Sequence, residues 1–246
     1  MKPFLILQLR PETEAADGEY HAFLDKGGLR EEDTHRIRLD QEDLPEGLDL
    51  SAYSGVIVGG GPGCVSDAPE DKPADEARIE AEILGLMPQI TGGDIPFMGC
   101  CYGMGILGAH LGAEVGKGRY GEPVRATGCT LTEAGTQDPL TTGLPAGFGA
   151  FVGHKEALHE LPKGCAHLVG SDPCPFQMVR YGQNVYATQF HPEADAHVFE
   201  ERIKIYRHKG YFHPDEADAL IDMCHAADVQ WPEIILKRFV ERYRQA

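Results

Sequence analysis

The pentapeptide Gly99-Cys100-Cys101-Tyr102-Gly103 constrains this chain more than any other stretch. It follows the short apolar run Ile95-Pro96-Phe97-Met98 and precedes a segment, Tyr102 to Leu111, that reads as a helix. A reactive residue with glycine two positions away on either side has the form of a nucleophile elbow. In such a sharp strand-to-helix turn the backbones crowd and leave no room for side chains at the flanking positions. The turn needs a buried strand ahead of it and a helix that packs back on the sheet, so it points to a parallel α/β architecture.

The rest of the chain fits that frame. Phe4 to Leu9, closed by Arg10-Pro11, has the length and composition of a buried first strand, and Tyr53 to Val58 is a second, ending in Gly59-Gly60-Gly61-Pro62-Gly63. Between it and the elbow, Asp75 to Met87 sets Ile79, Ile83, Leu84 and Leu86 at near-helical spacing among charged residues, an amphipathic helix. From about 113 to 190 the pattern breaks into short β-like pieces, Val124 to Leu131, His167 to Val169, Met178 to Tyr181 and Val185 to Phe190, separated by glycine and proline. Helical patterns return at Val198 to Arg207, Pro214 to Ala226 and Pro232 to Tyr243. The expected fold is α/β, a Rossmann-like, mostly parallel sheet flanked by helices, with antiparallel edge pieces and a helical C-terminal extension. No repeat or linker divides the chain, so residues 1–246 are expected to form one domain, a core over 1–195 and the extension over 196–246.

Cys101 would stand at the N-terminus of a helix, where the dipole and unpaired N–H groups favour a thiolate. A thiol nucleophile needs a base, and the base an orienting group. Thr188-Gln189-Phe190-His191-Pro192-Glu193 offers His191 and Glu193 for these roles at the end of an apolar run. The amide of Tyr102, and one from the turn Gly59 to Gly63, can face a developing oxyanion. That turn lacks the Gly-Lys-Ser/Thr that a phosphate loop carries.

Charge narrows the partners. Lys plus Arg number 22 against 39 Asp plus Glu, and a net charge of -17 repels nucleic acid and anionic membrane surfaces. No apolar run is long enough to span a bilayer, and the apolar part of the start is too short for a signal peptide, so a cytoplasmic location is expected. Seven cysteines with no CxxC pair argue for free thiols, not for a disulfide framework or a structural zinc site. His154, His159 and His167 lie in a loop-rich stretch without the placement of a zinc site and read as surface residues, so no metal ligands are expected.

Gly60-Gly61-Pro62, Gly99 to Met104 and Gln189-Phe190-His191-Pro192-Glu193 occur in this order, Cys101 lying 40 positions after Gly61 and His191 90 positions after Cys101. Over residues 1–195 the chain thereby resembles class I glutamine amidotransferases, most of all the amidotransferase part of GMP synthases. The resemblance implies that Cys101 attacks the side-chain amide of glutamine, that His191 carries the proton to the leaving ammonia, and that Glu193 orients His191. It implies an oxyanion hole from the amides of Gly61 and Tyr102, a γ-glutamyl thioester opened by water, and no cofactor. It also places Gly60 and Gly105 at the substrate pocket, with His154, in the segment Gly153-His154-Lys155-Glu156, just behind it.

Two departures leave the function open. The family continues Gly-x-Gln after the elbow, whereas Gly103-Met104-Gly105 puts glycine where that glutamine would hold substrate. The Ser-Gly-Gly-x-Asp-Ser loop of the ATP-activating domain is also missing, so the chain is not expected to make GMP alone. The substrate is glutamine or a γ-glutamyl compound, and a separate synthetase subunit is the candidate ammonia acceptor. The rival readings are a γ-glutamyl peptidase or hydrolase with the same triad, and a catalytically weak subunit that binds a synthetase partner. A cysteine α/β-hydrolase is disfavoured because Glu193 follows His191.

Overall fold

A computed structural model describes residues 2–244, so the outermost residues of the expected domain, 1, 245 and 246, lie outside the described residues. Along the chain run β1 (Phe4–Gln8), α1 (Thr13–Gly27), β2 (Thr34–Arg38), β3 (Gly55–Val58), α2 (Ala74–Gly93), β4 (Phe97–Cys100) and α3 (Tyr102–His110). There follow β5 (Val115–Leu131), α4 (Glu133–Gln137), β6 (Gly147–Leu158), β7 (Cys165–Ser171), β8 (Met178–Tyr181) and β9 (Val185–Thr188), then α5 (Ala196–Tyr206), α6 (Ala217–Ala226) and α7 (Trp231–Tyr243). The strands form one nine-stranded sheet in the order β2-β1-β3-β4-β9-β8-β7-β5-β6. Neighbours from β2 to β9 are parallel, and those from β9 to β6 antiparallel.

Every residue of β1 and β3 is buried, as expected of parallel strands covered on both faces. Successive side chains of β1 go to opposite faces. Phe4 and Ile6 join Phe23 of α1 and Phe239 and Val240 of α7, while Leu5 and Leu7 join Ile83 of α2 and Ile106 of α3. A third cluster sets Phe151 of β6 against Phe199 and Ile203 of α5 and Cys224 of α6. Among the described residues no helix is long and apolar enough to cross a membrane.

The structure corrects the reading of the middle of the chain. Residues 147–158 form the continuous strand β6, paired antiparallel with β5, so His154 is a buried strand residue and His167 lies in β7, not in loops. Glycines 147, 149 and 153 disguise the alternation that buries Phe148, Ala150, Val152, His154 and Glu156. The helix after the glycine turn continues to Gly93, past Pro88, because Ile90 extends its buried stripe. α1 and β2 had no counterpart in the sequence reading. α1 buries Tyr20 and Phe23 among three alanines, a glycine and a glutamate, a weak apolar stripe, and β2 is a polar strand at the edge of the sheet.

Register then gathers the chemistry. Val58 pairs with Gly99, Gly99 with Ala187, and Cys100 with Thr188. The segments that leave the carboxyl ends of β3, β4 and β9 therefore emerge side by side, where open α/β sheets bind ligands. They carry Gly59 to Gly63, Cys101, and Gln189 to Glu193 respectively.

Candidate active site

Cys101 sits between β4 and α3 with φ 55° and ψ −87°. A non-glycine residue at positive φ stores roughly 1–3 kcal/mol of strain and persists only where its surroundings enforce it. Here the Cys101 amide donates to the Thr188 carbonyl at 2.7 Å, tying the turn to the end of β9. A Cβ on Gly99 would lie 2.9 Å from the backbone of Gly103, whereas one on Gly103 would meet only Val58 at an ordinary 3.8 Å. The demand for glycine thus falls mainly on Gly99, not equally on both.

His191 leaves β9 buried, with its Nδ1 2.8 Å from Glu193 Oε1. The Arg202 guanidinium, from α5, donates to the same Glu193 oxygen at 2.8 Å and lies 3.2 Å from His191 Nδ1. Nδ1 cannot both donate to Glu193 and accept from Arg202. The shorter contact to an ionised carboxylate assigns the proton to Nδ1 and leaves Nε2 as the free base.

Behind this pair lies a buried charge network. Glu19 of α1 accepts from Arg10 Nε at 2.9 Å, Gln8 Nε2 at 3.0 Å and the Gly60 amide at 3.2 Å, and Arg202 approaches it to 3.7 Å. Sequence reasoning missed Glu19, Arg10 and Arg202. The available signal was a charged residue on an apolar stripe: Glu19 among Ala15, Ala16 and Phe23, and Arg202 among Phe199, Ile203 and Tyr206.

Burial opposes the expected thiolate. It pushes the Cys101 thiol up to about 12; Arg10 and Arg202 pull it down, and Glu193 and Glu156 push it further up. Burial also lowers the pKa of His191, against Glu193 and with help from Arg202 and Arg10. Burial alone would raise the Glu193 carboxyl, but His191 and Arg202 hold it well below the usual carboxylate range. The resting pair is therefore a thiol and a neutral imidazole beside an ionised carboxylate, suited to general-base activation of the thiol as it attacks.

The sign of this effect gives a pH test. His191 must be neutral to accept a proton, so its lowered pKa places the acid limb of kcat/KM below the ordinary histidine value of about 6.5. Arg202→Gln removes a cation that disfavours the imidazolium while Glu193 stays, so the limb is expected to move to higher pH. The pH profiles of the two folded proteins check this, and an unmoved limb would reduce Arg202 to a packing role.

Cys101, Tyr102, Gly61, His154 and Gln189 line a cavity of about 410 Å³. The Gln189 side-chain amide points at the Cys101 sulfur from 3.9 Å. His191 lines an adjoining cavity of about 50 Å³, and Val124, Gly153 and Tyr211 border both. Tyr102 opens α3, where a helix has no internal acceptor for its first amides. Gly60 does not line the larger cavity. Its amide is bound to Glu19, and a Cβ there would come within 2.6 Å of Arg10 and 3.0 Å of His191. Gly60 is where the chain passes close to the base, away from the position the sequence reading gave it.

Gly105 is buried in α3, and a Cβ on it would lie 2.8 Å from Glu156 Oε1. The Glu156 carboxylate accepts from the amides of Val65 and Ser66, both at 2.8 Å, and from Ser66 Oγ at 2.7 Å. Glu156 reaches from β6 into the volume a side chain at 105 would take, and it lines the cavity. Sequence reasoning quoted Glu156 but gave it no role.

The sequence profile of the family "Glutamine amidotransferase class-I" matches residues 21–205. This chain belongs to that family. Membership places it among enzymes that cleave an amide C–N bond, and its relatives within the class I amidotransferases include GMP synthases. A glutamine-hydrolysing GMP synthase subunit from Natronomonas pharaonis is 30% identical over 183 residues, covering 72% of this chain and 87% of that protein. The GMP synthase of Symbiobacterium thermophilum is 32% identical over 144 residues, 58% of this chain but 25% of that protein, so the match spans about a quarter of the longer synthase. Among solved structures, a glutamine amidotransferase from Thermotoga maritima superposes with a TM-score of 0.78 at 18% identity, covering 100% of both chains. A glutamine amidotransferase from Methylobacillus flagellatus gives 0.71 at 20% identity, covering 98% of this chain and 95% of that one. At these identities the structural likeness speaks for the fold of this class I amidotransferase.

Proposed function

We propose that this chain releases ammonia from the side-chain amide of glutamine with a Cys101–His191–Glu193 triad. The observation that carries the reading is the strained elbow at Cys101, tied by its own amide to the strand whose end delivers His191 and Glu193. Cys101 Sγ attacks the amide carbon while its proton passes to His191 Nε2, and the amides of Gly61 and Tyr102 receive the oxyanion. The C–N bond breaks, His191 returns the proton to nitrogen, and ammonia departs from a γ-glutamyl thioester. Water, deprotonated by His191, opens that thioester to glutamate and restores the thiol. Glu193 holds the Nδ1–H tautomer throughout. Residues 1–195 supply this machinery and 196–246 its helical extension, within one cytoplasmic domain. That the Natronomonas relative is one subunit of its GMP synthase supports a separate synthetase as the ammonia acceptor.

A second reading, a γ-glutamyl peptidase with the same triad, draws support from the cavity. About 410 Å³ lies within the roughly 300–1,000 Å³ of sites that take drug-sized ligands, so substituted γ-glutamyl amides have room. Glutamate and ammonia, or glutamate and the released amine, measured from glutamine and from a γ-glutamyl dipeptide with the purified chain, decide between the two. Equal release of glutamate and ammonia from glutamine is the expected result; turnover of the dipeptide alone would overturn it. In the same assay Gly105→Gln is expected to lower kcat/KM for both substrates. The new side chain would collide with Glu156 Oε1 and with Val65 Cγ2, 3.2 Å from the position of the added Cβ, and would expel the carboxylate from its amides. An improved preference for glutamine would show instead that the site accommodates both side chains.

A further inference from the structure

Beneath the 410 Å³ cavity, three strand and loop segments bring together side chains that the triad does not use. Glu122 of β5 and His154 of β6 are buried and line the cavity, and Cys174, in the turn between β7 and β8, is fully buried. A carboxylate oxygen of Glu122, a ring nitrogen of His154 and Cys174 Sγ all lie within 4.8 Å of one another, the one such group among the described residues.

The hydrogen bonds around these atoms orient them as ligands. His154 Nδ1 is 2.9 Å from the Glu156 carbonyl, which can only accept, so Nδ1 carries a proton. That is the outer-shell arrangement of a metal-bound histidine, with Nε2 presented as the ligand. Nε2 faces Glu122 Oε2 at 3.4 Å, long for a charge-assisted hydrogen bond, for which about 2.7–2.9 Å is usual. In a tetrahedral site with metal–nitrogen and metal–oxygen bonds of about 2.0–2.1 Å, two ligands stand about 3.3–3.4 Å apart. Gln177 Nε2 steadies Glu122 Oε2 from 2.8 Å and also holds Ser171 Oγ at 3.0 Å, at the end of β7, where that hydroxyl accepts from the Cys174 amide at 3.2 Å. Gln177 Oε1 is buried without a hydrogen-bond partner, and Glu122 Oε1, likewise without a hydrogen bond, has only the Arg125 guanidinium nearby, as a long ion pair of 3.4 Å. A buried acceptor left unpaired beside a weakly paired carboxylate has room for a further cation or donor.

We propose that Glu122, His154 and Cys174 bind a divalent cation of the zinc class, with a fourth coordination position open to the cavity. The mixed oxygen, nitrogen and sulfur set suits zinc better than calcium or magnesium, which prefer oxygen alone. On binding, Cys174 gives its thiol proton to solvent. The carboxylate and the thiolate then balance the two positive charges of the ion, and the imidazole stays neutral. The sulfur lies within 4.8 Å of both partners against about 3.5 Å in such a site, so the proposal requires Cys174 to turn from the Phe176 carbonyl toward the pair when the ion binds. The sequence reading looked for histidine pairs and paired thiols, and this set has one ligand of each kind from distant positions.

The test uses the full chain with Cys101→Ala, so that the nucleophile cannot bind the probe, after treatment with a chelator. Cobalt(II) is expected to bind one equivalent with a thiolate-to-cobalt charge-transfer band that is absent in Cys174→Ser, and Gln177→Ala is expected to weaken binding about 10–100-fold. X-ray absorption of the zinc-loaded chain is expected to show one sulfur at about 2.3 Å and nitrogen or oxygen at about 2.0–2.1 Å, with an imidazole signature. No cobalt–thiolate band, a band retained in Cys174→Ser, or a shell without sulfur would overturn the site and leave His154 and Glu122 as a hydrogen-bonded pair. Should Cys174→Ser fail to fold, the combined sulfur and imidazole signature of the parent decides, because no other described cysteine shares a three-ligand cluster.

Discussion

Alanine at position 101 is expected to leave a folded protein whose glutamine turnover has fallen on the order of 10⁶-fold, as when the nucleophile of a serine-protease triad is removed. The backbone at 101 is already held at positive φ with a Cβ in place, so alanine adds no strain that cysteine lacks. Steady-state ammonia release measures the loss. A glutamine-like electrophile should label Cys101 and spare Cys100, which is fully buried and whose thiol is pushed well above its ordinary value by that burial. Only Cys101 of the two lines the cavity. Activity retained in Cys101→Ala, or an adduct mapped to Cys100, would reassign the nucleophile.

His191→Ala is expected to match that loss, again on the order of 10⁶-fold, whereas Glu193→Gln should lose about 10²–10⁴-fold. The ranking follows from the roles: His191 moves the proton, and Glu193 fixes the tautomer. The structure adds a second consequence for Glu193. Its carboxylate is the nearest counter-ion of buried Arg202, so Glu193→Gln leaves a cation to share the more distant Glu19, and breaking such a buried pair costs about 3–5 kcal/mol. Thermal unfolding and kcat measured on the same preparation separate the two effects. Full turnover in His191→Ala would remove the triad, while an unaffected Glu193→Gln would demote that residue alone.

What could be seen in the sequence was whatever depends on local patterning. The apolar runs of β1, β3, β4 and β9 and the glycine-flanked elbow are contiguous signals, and they suffice for a parallel α/β core and for Cys101, His191 and Glu193 as candidates. The polar framework around them is not contiguous. Glu19, Arg202 and Glu156 come from three elements far apart in the chain, and each looks like an ordinary surface charge until packing closes over it. The same holds for the setting of Cys101: a helix N-terminus can be read locally, but the desolvation and the nearby Glu193 and Glu156 that work against a thiolate depend on the whole fold.

The packing of α7 beneath the first strand bears on how the protein is made. Synthesis delivers Cys101, His191 and Glu193 well before Phe239 and Val240, yet those late residues complete the cluster that encloses Phe4 and Phe23. A nascent chain can thus hold all three reacting groups while one face of its founding strand is uncovered. Exposed apolar surface of that kind invites association with other chains.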